Sequence, residues 1–465
     1  MAAQKQHVVI LGGGFGGMYC AMELDRALAR GLDAEVTLVN KENFFLFTPM
    51  LHEVAAGDLD FSDIVSPLRQ ILRHVQYLEA DVEDINLGER RITLEYGVYR
   101  RHKEVSYNHL IIALGSETNF FNLPGVEERA LTMKSVGDAF MLRNHALATL
   151  EMASLTDNAP ARQALLTFVV AGGGFAGVET AGALNDFVRE ALKYYPSLTE
   201  DELRVVLVHP GAFILPELGE HLGRYAQGKL AARKVEILLE TRVAAFSDRG
   251  VELVKGETIP TFTLVWTAGV TPPTVLKSLP CKKERGRVVA QDTLELPDFL
   301  GVWAVGDSAW VLNSRTGQPH PPTAQHALRE ARRCAKNVVA TIHGGLRQPF
   351  EFTTLGQLAT IGRRTGVANI MGFQFSGFLA WGMWRTIYLA KLPRLEKKVR
   401  VALRWTLDLL FPKDLAQYIT LQNIERVGQR LAYIRQHSAI ASQTTSTIPS
   451  GQLTSLPAKT GTDDA

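Results

Sequence analysis

Cysteine is scarce in this sequence. The chain of 465 residues contains three cysteines, Cys20, Cys281 and Cys334, and they are far apart. No C-x-x-C unit is therefore present, which argues against a cysteine zinc site or a redox disulfide, and we predict no metal site. So few thiols are typical of a reducing compartment, and we expect a cytoplasmic protein.

An excess of charge is also lacking. Lys and Arg together number 50 and Asp and Glu number 48, so the net charge is only +2. This balance predicts no nucleic-acid partner. The N-terminus, MAAQKQHVVILGGGF, enters an apolar run almost at once and leaves no room for the charged and apolar regions of an export signal.

Two glycine-rich turns about 160 residues apart each follow a predicted buried strand and precede a predicted helix. The glycines that fit the pattern G-x-G-x-x-G are Gly12, Gly14 and Gly17 in the first turn and Gly172, Gly174 and Gly177 in the second. Such a turn lets a pyrophosphate approach the backbone, and the helix N-terminus then offers free N–H groups to the phosphates. Because the motif occurs twice, we predict two dinucleotide sites, a flavin in one and NAD(P)H in the other.

Both units depart from the simplest fingerprint at the end of the second strand. An acidic residue is expected there to bind ribose hydroxyls, but the first unit has Asn40 and the second has His209. Asn40 can still donate and accept hydrogen bonds. His209 would not repel a 2′-phosphate, so the choice between NADH and NADPH stays open, as does the alternative that His209 merely faces solvent.

Four further segments carry a resemblance to a known family. They are residues 46–55 (LFTPMLHEVA), residues 301–307 (GVWAVGD), residues 321–327 (PPTAQHA), and residues 376–381 (SGFLAW) with Trp384, Tyr388 and Leu389. With the two glycine turns, they make residues 7–420 similar to the type II NADH:quinone oxidoreductases. The resemblance implies an α/β fold with two Rossmann-like dinucleotide-binding domains, as in glutathione reductase, and a C-terminal membrane-associating segment.

The resemblance also implies an activity and roles for particular residues. The activity is hydride transfer from NADH to FAD and then two-electron transfer to a membrane quinone, without proton pumping. Asp307 would bind the ribityl chain of FAD, Gln325 would lie near the flavin and the quinone, and Glu179 near the nicotinamide. The alternatives are that Asp307 only caps a helix, that Gln325 is plain helix surface, and that Glu179 is a first-turn acid that complements the helix dipole.

One position departs from the family pattern. The family motif often continues A-Q-x-A-x-Q, but Arg329 stands at its last position. The second glutamine is implicated in quinone binding by resemblance only, so its replacement leaves the details of the quinone site open.

The complete predicted site combines the glycine turns with the segments of the resemblance. As catalytic residues we predict Glu179 and Gln325. The predicted cofactor-binding residues are Gly12, Gly14, Phe15, Gly17, Asn40, Lys41, Pro49, Val82, Ala113, Gly115, Gly172, Gly174, Phe175, Gly177, Glu179, His209, Gly269, Gly306, Asp307, Ala324 and Gln325. The expected cofactor is FAD, with NADH as substrate and NADPH as the alternative.

The predicted domains follow from the positions of these motifs. An FAD-binding domain comprises residues 1–135 and 285–349, and an NAD(P)H-binding domain comprises residues 136–284. Residues 350–437 form a quinone- and membrane-associated region. Residues 438–465 are rich in Ser, Thr, Pro and Gly without aromatics, and we predict a disordered tail.

The C-terminal region predicts contact with a membrane surface. Residues 365–384 carry no charge over about the length of a bilayer span, but their glycines favour a strand at 366–370, a turn, and a helix from Phe378. One helical face of residues 392–411 is apolar, with Leu395, Val399, Ala402, Leu403, Leu407 and Leu410. The other face is largely basic, with Arg394, Lys397, Lys398, Arg400 and Arg404, joined by Lys391.

This pattern is typical of a helix that lies in an anionic membrane surface, with Trp384, Trp405 and Phe411 as interfacial aromatics. We therefore expect the 378–411 region to hold the protein peripherally on the cytoplasmic face of the cell membrane. The alternatives are a helix packed on its own domain, or a single transmembrane helix. A homodimer is left open.

Two other functions stay open on the sequence alone. One is a soluble FAD-dependent NAD(P)H reductase of another acceptor. The other is a flavin- and nucleotide-binding sensor or scaffold without turnover, for which Asn40, His209 and Arg329 are the best arguments.

Overall fold

The computed structural model describes residues 5–408 and 410–418. The predicted tail at 438–465 lies outside the described residues. The α-helices, in chain order, are α1 (Phe15–Ala29), α2 (Leu51–Ala55), α3 (Phe61–Ile64), α4 (Leu68–Ile71), α5 (Val126–Arg129), α6 (Val136–Leu155), α7 (Ala159–Leu165), α8 (Phe175–Leu192), α9 (Glu220–Ala231), α10 (Ala324–Ile342), α11 (Phe378–Lys391) and α12 (Leu395–Leu407). Short 3₁₀ turns occupy Thr48–Met50, Pro216–Leu218, Thr274–Leu276 and Gly306–Ser308.

The strands are distributed over eight sheets. In chain order they are β1 (Gln6–Leu11), β2 (Ala34–Asn40), β3 (Phe44–Leu46), β4 (Val65–Pro67), β5 (Gln76–Glu79), β6 (Asp81–Asn86), β7 (Arg91–Tyr96), β8 (Arg101–Ser106), β9 (His109–Ile112), β10 (Glu117–Thr118), β11 (Leu131–Thr132), β12 (Thr167–Ala171), β13 (Arg204–Val208), β14 (Val235–Leu238), β15 (Val243–Ser247), β16 (Gly250–Leu253), β17 (Thr258–Ile259), β18 (Thr263–Trp266), β19 (Val270–Thr271), β20 (Lys283–Glu284), β21 (Arg287–Ala290), β22 (Glu295–Leu296), β23 (Phe299–Ala304), β24 (Ala309–Val311), β25 (Gly356–Thr360), β26 (Gly366–Ile370) and β27 (Phe373–Gly377).

The first glycine turn lies at the centre of a six-stranded sheet with the order β22-β23-β9-β1-β2-β5. Its five strands from β23 to β5 are parallel, and β22 is an antiparallel edge strand. Strand β1 pairs with β2 on one side and β9 on the other, so the strand order reverses at its carboxyl end. Ligands of open α/β sheets bind at such a point, which is where Gly12 lies.

The second glycine turn occupies the same place in a five-stranded parallel sheet with the order β11-β18-β12-β13-β14. Strand β12 lies between β13 and β18, and the chain turns at Gly172 into α8. The two units therefore share the placement of the glycine turn within the sheet as well as the glycine motif itself. The strand that precedes this turn, β12, begins only at Thr167, because Leu165 still belongs to α7.

Gly17 and Gly177 hold their helices against the turns that precede them. A Cβ at Gly17 would lie 1.7 Å from the Gly12 carbonyl oxygen, and a Cβ at Gly177 would lie 1.7 Å from that of Gly172. Only glycine fits such an approach. The third glycine of each motif is therefore required by the fold itself, whether or not a ligand is bound.

The C-terminal region forms a three-stranded antiparallel sheet of β25, β26 and β27, followed by α11 and α12. The predicted strand at 366–370 and the helix from Phe378 are confirmed. The predicted helix at 392–411 is shorter, because α12 covers Leu395–Leu407. No helix within the described residues is long and apolar enough to cross a membrane.

The sequence interpretation of the segment that forms α11 and α12 was wrong in two respects. Trp384 and Trp405 are buried, and so they are not interfacial aromatics. Lys397 is also buried, and its Nζ donates to the Ser62 carbonyl oxygen at 2.5 Å. Helical periodicity assigned Lys397 to a solvated basic face, but Lys397, Val401 and Trp405 form the face of α12 that packs on the protein.

We expect Gly177→Ala to destabilise the fold by about 3 kcal/mol or more, because the added methyl group overlaps backbone that cannot move independently. Thermal denaturation of the purified protein measures this. The matched control is Gly228→Ala in α9, where the new Cβ has no neighbour within 4 Å and alanine favours the helix. Equal melting temperatures for Gly177→Ala and the wild-type protein would contradict the packing role of Gly177.

Candidate active site

A cavity of about 430 Å³ lies where both glycine-turn helices meet the C-terminal region. Its lining includes Phe15 at the start of α1 and Phe175 at the start of α8. The loop around Pro49, the first turn of α10 with Gln325, and Tyr388 of α11 complete it. The lining is mostly apolar with a few polar groups, which is typical of a small-molecule site of this volume.

The N-termini of α1 and α8 fit the phosphates of a dinucleotide. Gly14 and Gly174 are the N-caps, and neither helix has a side-chain cap for its first N–H groups. A Cβ at Gly14 would have no neighbour within 4 Å, and one at Gly174 would meet only Glu217 at 3.9 Å. The second glycine of each motif thus leaves space open beside unpaired donors, where a pyrophosphate can bind.

The strand-end residues Asn40 and His209 have the same structural role in the two units. Gly13 N–H donates to Asn40 Oδ1 at 2.7 Å, and Gly173 N–H donates to His209 Nδ1 at 3.0 Å. The solvent-facing alternative for His209 is therefore wrong. Because Asn40 also donates to the Glu42 carbonyl oxygen at 2.7 Å, both its oxygen and its nitrogen are engaged with the protein.

Asp307 belongs to a polar chain beside the first sheet. Its Oδ2 accepts from Ser116 Oγ at 3.0 Å, and Ser116 in turn accepts from Lys134 Nζ at 3.0 Å. Asp307 lies in the 3₁₀ turn Gly306–Ser308 and caps no helix, so the helix-cap alternative is wrong. Glu330 of α10 accepts from Gly306 N–H at 2.7 Å, and burial raises the pKa of Glu330 to about 7.

Gln325 lies in the first turn of α10, whose N-cap is Thr323. The Thr323 side chain accepts from His326 N–H, which fixes the start of the helix. Gln325 Nε2 donates to the Gly356 carbonyl oxygen at 3.0 Å, and the residue lines the cavity. Gln325 is therefore held between α10 and β25 inside the cavity, and the plain-surface alternative is wrong.

Glu179 is buried beyond the first turn of α8, so the alternative of a first-turn acid is also wrong. Its Oε1 accepts from Thr360 N–H at 3.1 Å, and its Oε2 lies 3.6 Å from His52 Nδ1. His52 Nε2 and Thr360 Oγ1 are 3.0 Å apart. Strand β25 approaches α8 this closely because Gly182 has no side chain, and a Cβ there would lie 2.7 Å from Gly362 N.

Burial determines the charge of this cluster. It raises the pKa of Glu179 to about 8, an effect that the hydrogen bond from Thr360 N–H opposes and the nearby Glu53 carboxylate reinforces. Burial also lowers the pKa of His52 to about 3. At pH 7 the cluster is therefore a protonated carboxyl beside a neutral imidazole, which is an arrangement suited to proton transfer.

The structure divides the predicted site residues into two groups. Those that line the cavity are Phe15, Pro49, Phe175, Glu179, Gly269, Ala324 and Gln325. Those at or near the carboxyl edges of the two parallel sheets are Gly12, Gly14, Gly17, Asn40, Lys41, Val82, Ala113, Gly115, Gly172, Gly174, Gly177, His209, Gly306 and Asp307. The second group surrounds the glycine turns, at the places where the rest of each dinucleotide would extend.

Several cavity residues were not predicted as site residues. His52 belongs to the 46–55 segment and carried a signal, whereas Lys391 carried none that points to this cavity. Thr360, which lies behind the lining and 3.0 Å from His52, carried none either. Arg329 also lines the cavity. Its guanidinium lies 4.1 Å from the centre of the Phe352 ring, and Nη1 donates to the Gln325 carbonyl oxygen at 2.9 Å.

The C-terminal region also exposes large apolar side chains. They are Met371, Phe373, Phe378, Leu379, Leu395, Val399, Leu403, Leu407, Leu410 and Phe411, exposed by 43 to 77%. We call these ten residues the apolar face. Many of the predicted basic residues of α12 have acidic partners: Arg404 pairs with Asp63, and Arg394 and Arg400 both pair with Glu396.

Comparison with protein families identifies two regions. Residues 6–331 match the pyridine nucleotide-disulphide oxidoreductase model, and residues 355–414 match the NDH2 C-terminal domain. A probable NADH dehydrogenase of Dictyostelium discoideum is 30% identical over 89% of this chain and 92% of its own length. A type II NADH:quinone oxidoreductase of Mycobacterium tuberculosis is 32% identical over 88% of this chain and 89% of its own length.

The fold is also similar to that of a solved structure. NDH2 from Plasmodium falciparum, in complex with NADH, superposes with a TM-score of 0.83 at 19% identity, over 89% of this chain and 100% of that one. The glycine turns belong to the first matched region, the apolar face and β25 belong to the second, and residues of both regions line the cavity. The chain therefore belongs to the pyridine nucleotide-disulphide oxidoreductases and, among them, to the type II NADH:quinone oxidoreductase family.

Proposed function

We propose that this chain holds FAD on its first glycine turn and NADH on its second, so that the reactive rings of both meet in the 430 Å³ cavity. The observation that carries the proposal is that Phe15 and Phe175, the first residues of α1 and α8, line one and the same cavity. When bound, FAD accepts a hydride from NADH and transfers two electrons to a quinone. The chain is thus an FAD-dependent NADH:quinone oxidoreductase.

The residues around the cavity position the reactants. Gly14 and Gly174 leave the N–H groups of α1 and α8 open to the two pyrophosphates. The Gln325 side chain is fixed by its hydrogen bond to the Gly356 carbonyl oxygen, so its amide group has a defined orientation towards a ligand bound beside it. The quinone would enter from the side of α10 and α11, where Gln325, Arg329 and Tyr388 line the cavity.

Glu179 would supply the proton that the chemistry requires. NADH and a quinone give NAD⁺ and quinol only if one further proton is taken up. Glu179 is protonated at neutral pH because its pKa is raised to about 8, and it lines the cavity. A carboxyl in this state donates a proton, and Thr360 N–H stabilises the carboxylate that remains.

The apolar face would hold the protein peripherally on the cytoplasmic surface of the membrane. Six of its ten side chains lie on α11 and α12. Helix α11 also borders the cavity through Tyr388 and Lys391. Three of the basic residues of α12 are paired with acids. We therefore expect apolar insertion to contribute more than attraction to anionic lipid.

The direct test of the proposed function is an assay of the purified protein. We expect a flavin absorbance spectrum, oxidation of NADH, and rapid turnover only when a quinone is present. Parallel assays with NADPH and with several quinones define the preferred substrates. A protein that binds flavin but oxidises NADH equally slowly with and without every quinone tested would contradict the proposal.

Replacement of Glu179 by glutamine tests the proton donor. Glutamine still accepts from Thr360 N–H but cannot donate a carboxyl proton, so quinone turnover should fall about 100-fold, with little change in flavin reduction by NADH. In the wild-type protein, turnover should fall as the pH rises through about 8, because only the protonated carboxyl donates. An undiminished quinone turnover in the variant, with the same pH dependence, would show that Glu179 has no such role.

The double substitution Leu395→Ser and Leu403→Ser tests the apolar face and leaves the packed side of α12 intact. Vesicle sedimentation should show binding reduced about tenfold or more, since each exposed leucine contributes about 1 to 2 kcal/mol on insertion. Binding of the wild-type protein to zwitterionic vesicles should depend little on salt. The matched control is Leu155→Ser with Leu346→Ser, at leucines exposed by 85 and 86% outside this face. An equal loss of vesicle binding in both double variants would argue against a specific membrane face.

A further inference from the structure

A second, much smaller cavity lies behind His52, on the side away from the main cavity. It has a volume of about 30 Å³, which is the space of one water molecule. His52 lines both cavities and is fully buried between them. The acids that line the small cavity are Glu53, Asp58, Asp186 and Asp408, and its cations are Arg363, Arg385 and Lys413.

Three of the four acids are neutralised by ion pairs. Asp58 lies 2.7 Å from Lys413 Nζ, Asp186 lies 2.7 Å from Arg233 Nη1, and Asp408 lies 3.5 Å from Arg363 Nη2. The exposure of the cations differs, since the Arg363 side chain is 38% exposed and that of Lys413 is 3% exposed. Protonation of an acid in such a pair would break the pair, so these three acids are poor carriers of protons.

Glu53 differs from the other three acids. Among the described residues it has no cation within 4 Å, and its hydrogen bond is from Trp405 Nε1 to Oε2 at 2.9 Å. It is only 5% exposed. Burial raises the pKa of Glu53 to about 8, and Arg385 is the largest influence in the opposite direction. Glu53 can therefore gain or lose a proton near neutral pH without breaking an ion pair.

The groups that face Glu53 come from every element packed around it, and they are Asp58, Glu179, Arg385, Lys413 and Trp405. Arg385 is held between two tryptophan rings, 4.2 Å from the centre of Trp381 and 4.6 Å from that of Trp405. Its charge is thereby fixed beside the cavity. A deprotonated Glu53 would be stabilised by Arg385, so Glu53 can release its proton into the small cavity, which His52 also lines.

The geometry points to Glu53 and the small charged cavity as the route by which solvent protons reach Glu179 through His52 and Thr360. The inference rests on the proposed function, in which Glu179 donates one proton per quinone reduced. Glu179 is buried and must be reprotonated after each turnover. Neutral His52 can receive a proton on one ring nitrogen and release one from the other, so the charge of the imidazole need not persist. Glu53 is a positioning and relay residue and does not contact the quinone.

The experiment compares the first turnover with later ones in Glu53→Gln. Flavin-loaded protein is mixed with NADH and a short-chain quinone in a stopped-flow instrument. We expect flavin reduction and the first reoxidation at wild-type rates, because Glu179 already carries its proton. Later turnovers should be about tenfold slower or more. The pH at which activity is lost, near 8 in the wild-type protein, should also shift.

Two further variants separate proton relay from structural damage. Glu295→Gln replaces another buried glutamate, outside both cavities, and should keep all turnovers equally fast. Trp405→Phe removes the hydrogen bond that lowers the pKa of Glu53, so it should move the alkaline loss of activity to higher pH. A structural role alone would not shift a pH profile in this direction.

An infrared titration tests the same claim without turnover. The wild-type protein should show a carboxylic-acid band that titrates near pH 8 and is diminished in Glu53→Gln. Later turnovers as fast as the first in Glu53→Gln, with an unchanged pH profile, would overturn the inference and leave the proposed function intact. Failure of NADH to reduce the flavin of the wild-type protein would overturn both.

Discussion

The structure depends on two helices whose first N–H groups have no side-chain cap among the described residues. Each helix follows a glycine turn, and each turn is held by one side chain from the neighbouring strand, Asn40 in the first unit and His209 in the second. Unpaired donors at the end of a helix dipole favour an anionic ligand. Because both helices begin at the same cavity, pyrophosphates bound at their N-termini would direct two reactive rings towards each other.

The C-terminal region does more than cover this cavity. Strand β25 brings Thr360 to Glu179 and His52, and α12 brings Trp405 to Glu53. The segment that encloses the buried acids is thus also the segment that exposes the apolar face. On the proposed function, one structural unit would therefore both bind a lipid surface and supply protons to the active site, and a quinone that leaves the membrane would meet both.

Local sequence patterns predicted much of the fold and part of the site. The glycine turns, the strand ends and the cap at Thr323 each depend on neighbouring residues, and so the pattern indicates them directly. The contact between His52 and Thr360 joins residues 308 positions apart, and no local pattern indicates it. Periodicity also could not show which face of α12 is packed, because the buried face contains Lys397 beside Val401 and Trp405. That lysine is satisfied by the Ser62 carbonyl oxygen, which lies in a distant segment.

The central claim is that one chain holds FAD and NADH with their reactive rings in contact. An anaerobic titration of the purified flavoprotein with NADH, followed by flavin absorbance, measures this contact directly. The account predicts that one equivalent of NADH per bound FAD bleaches the flavin and that no other protein is needed. A flavin that is bound but stays oxidised in excess NADH would contradict it.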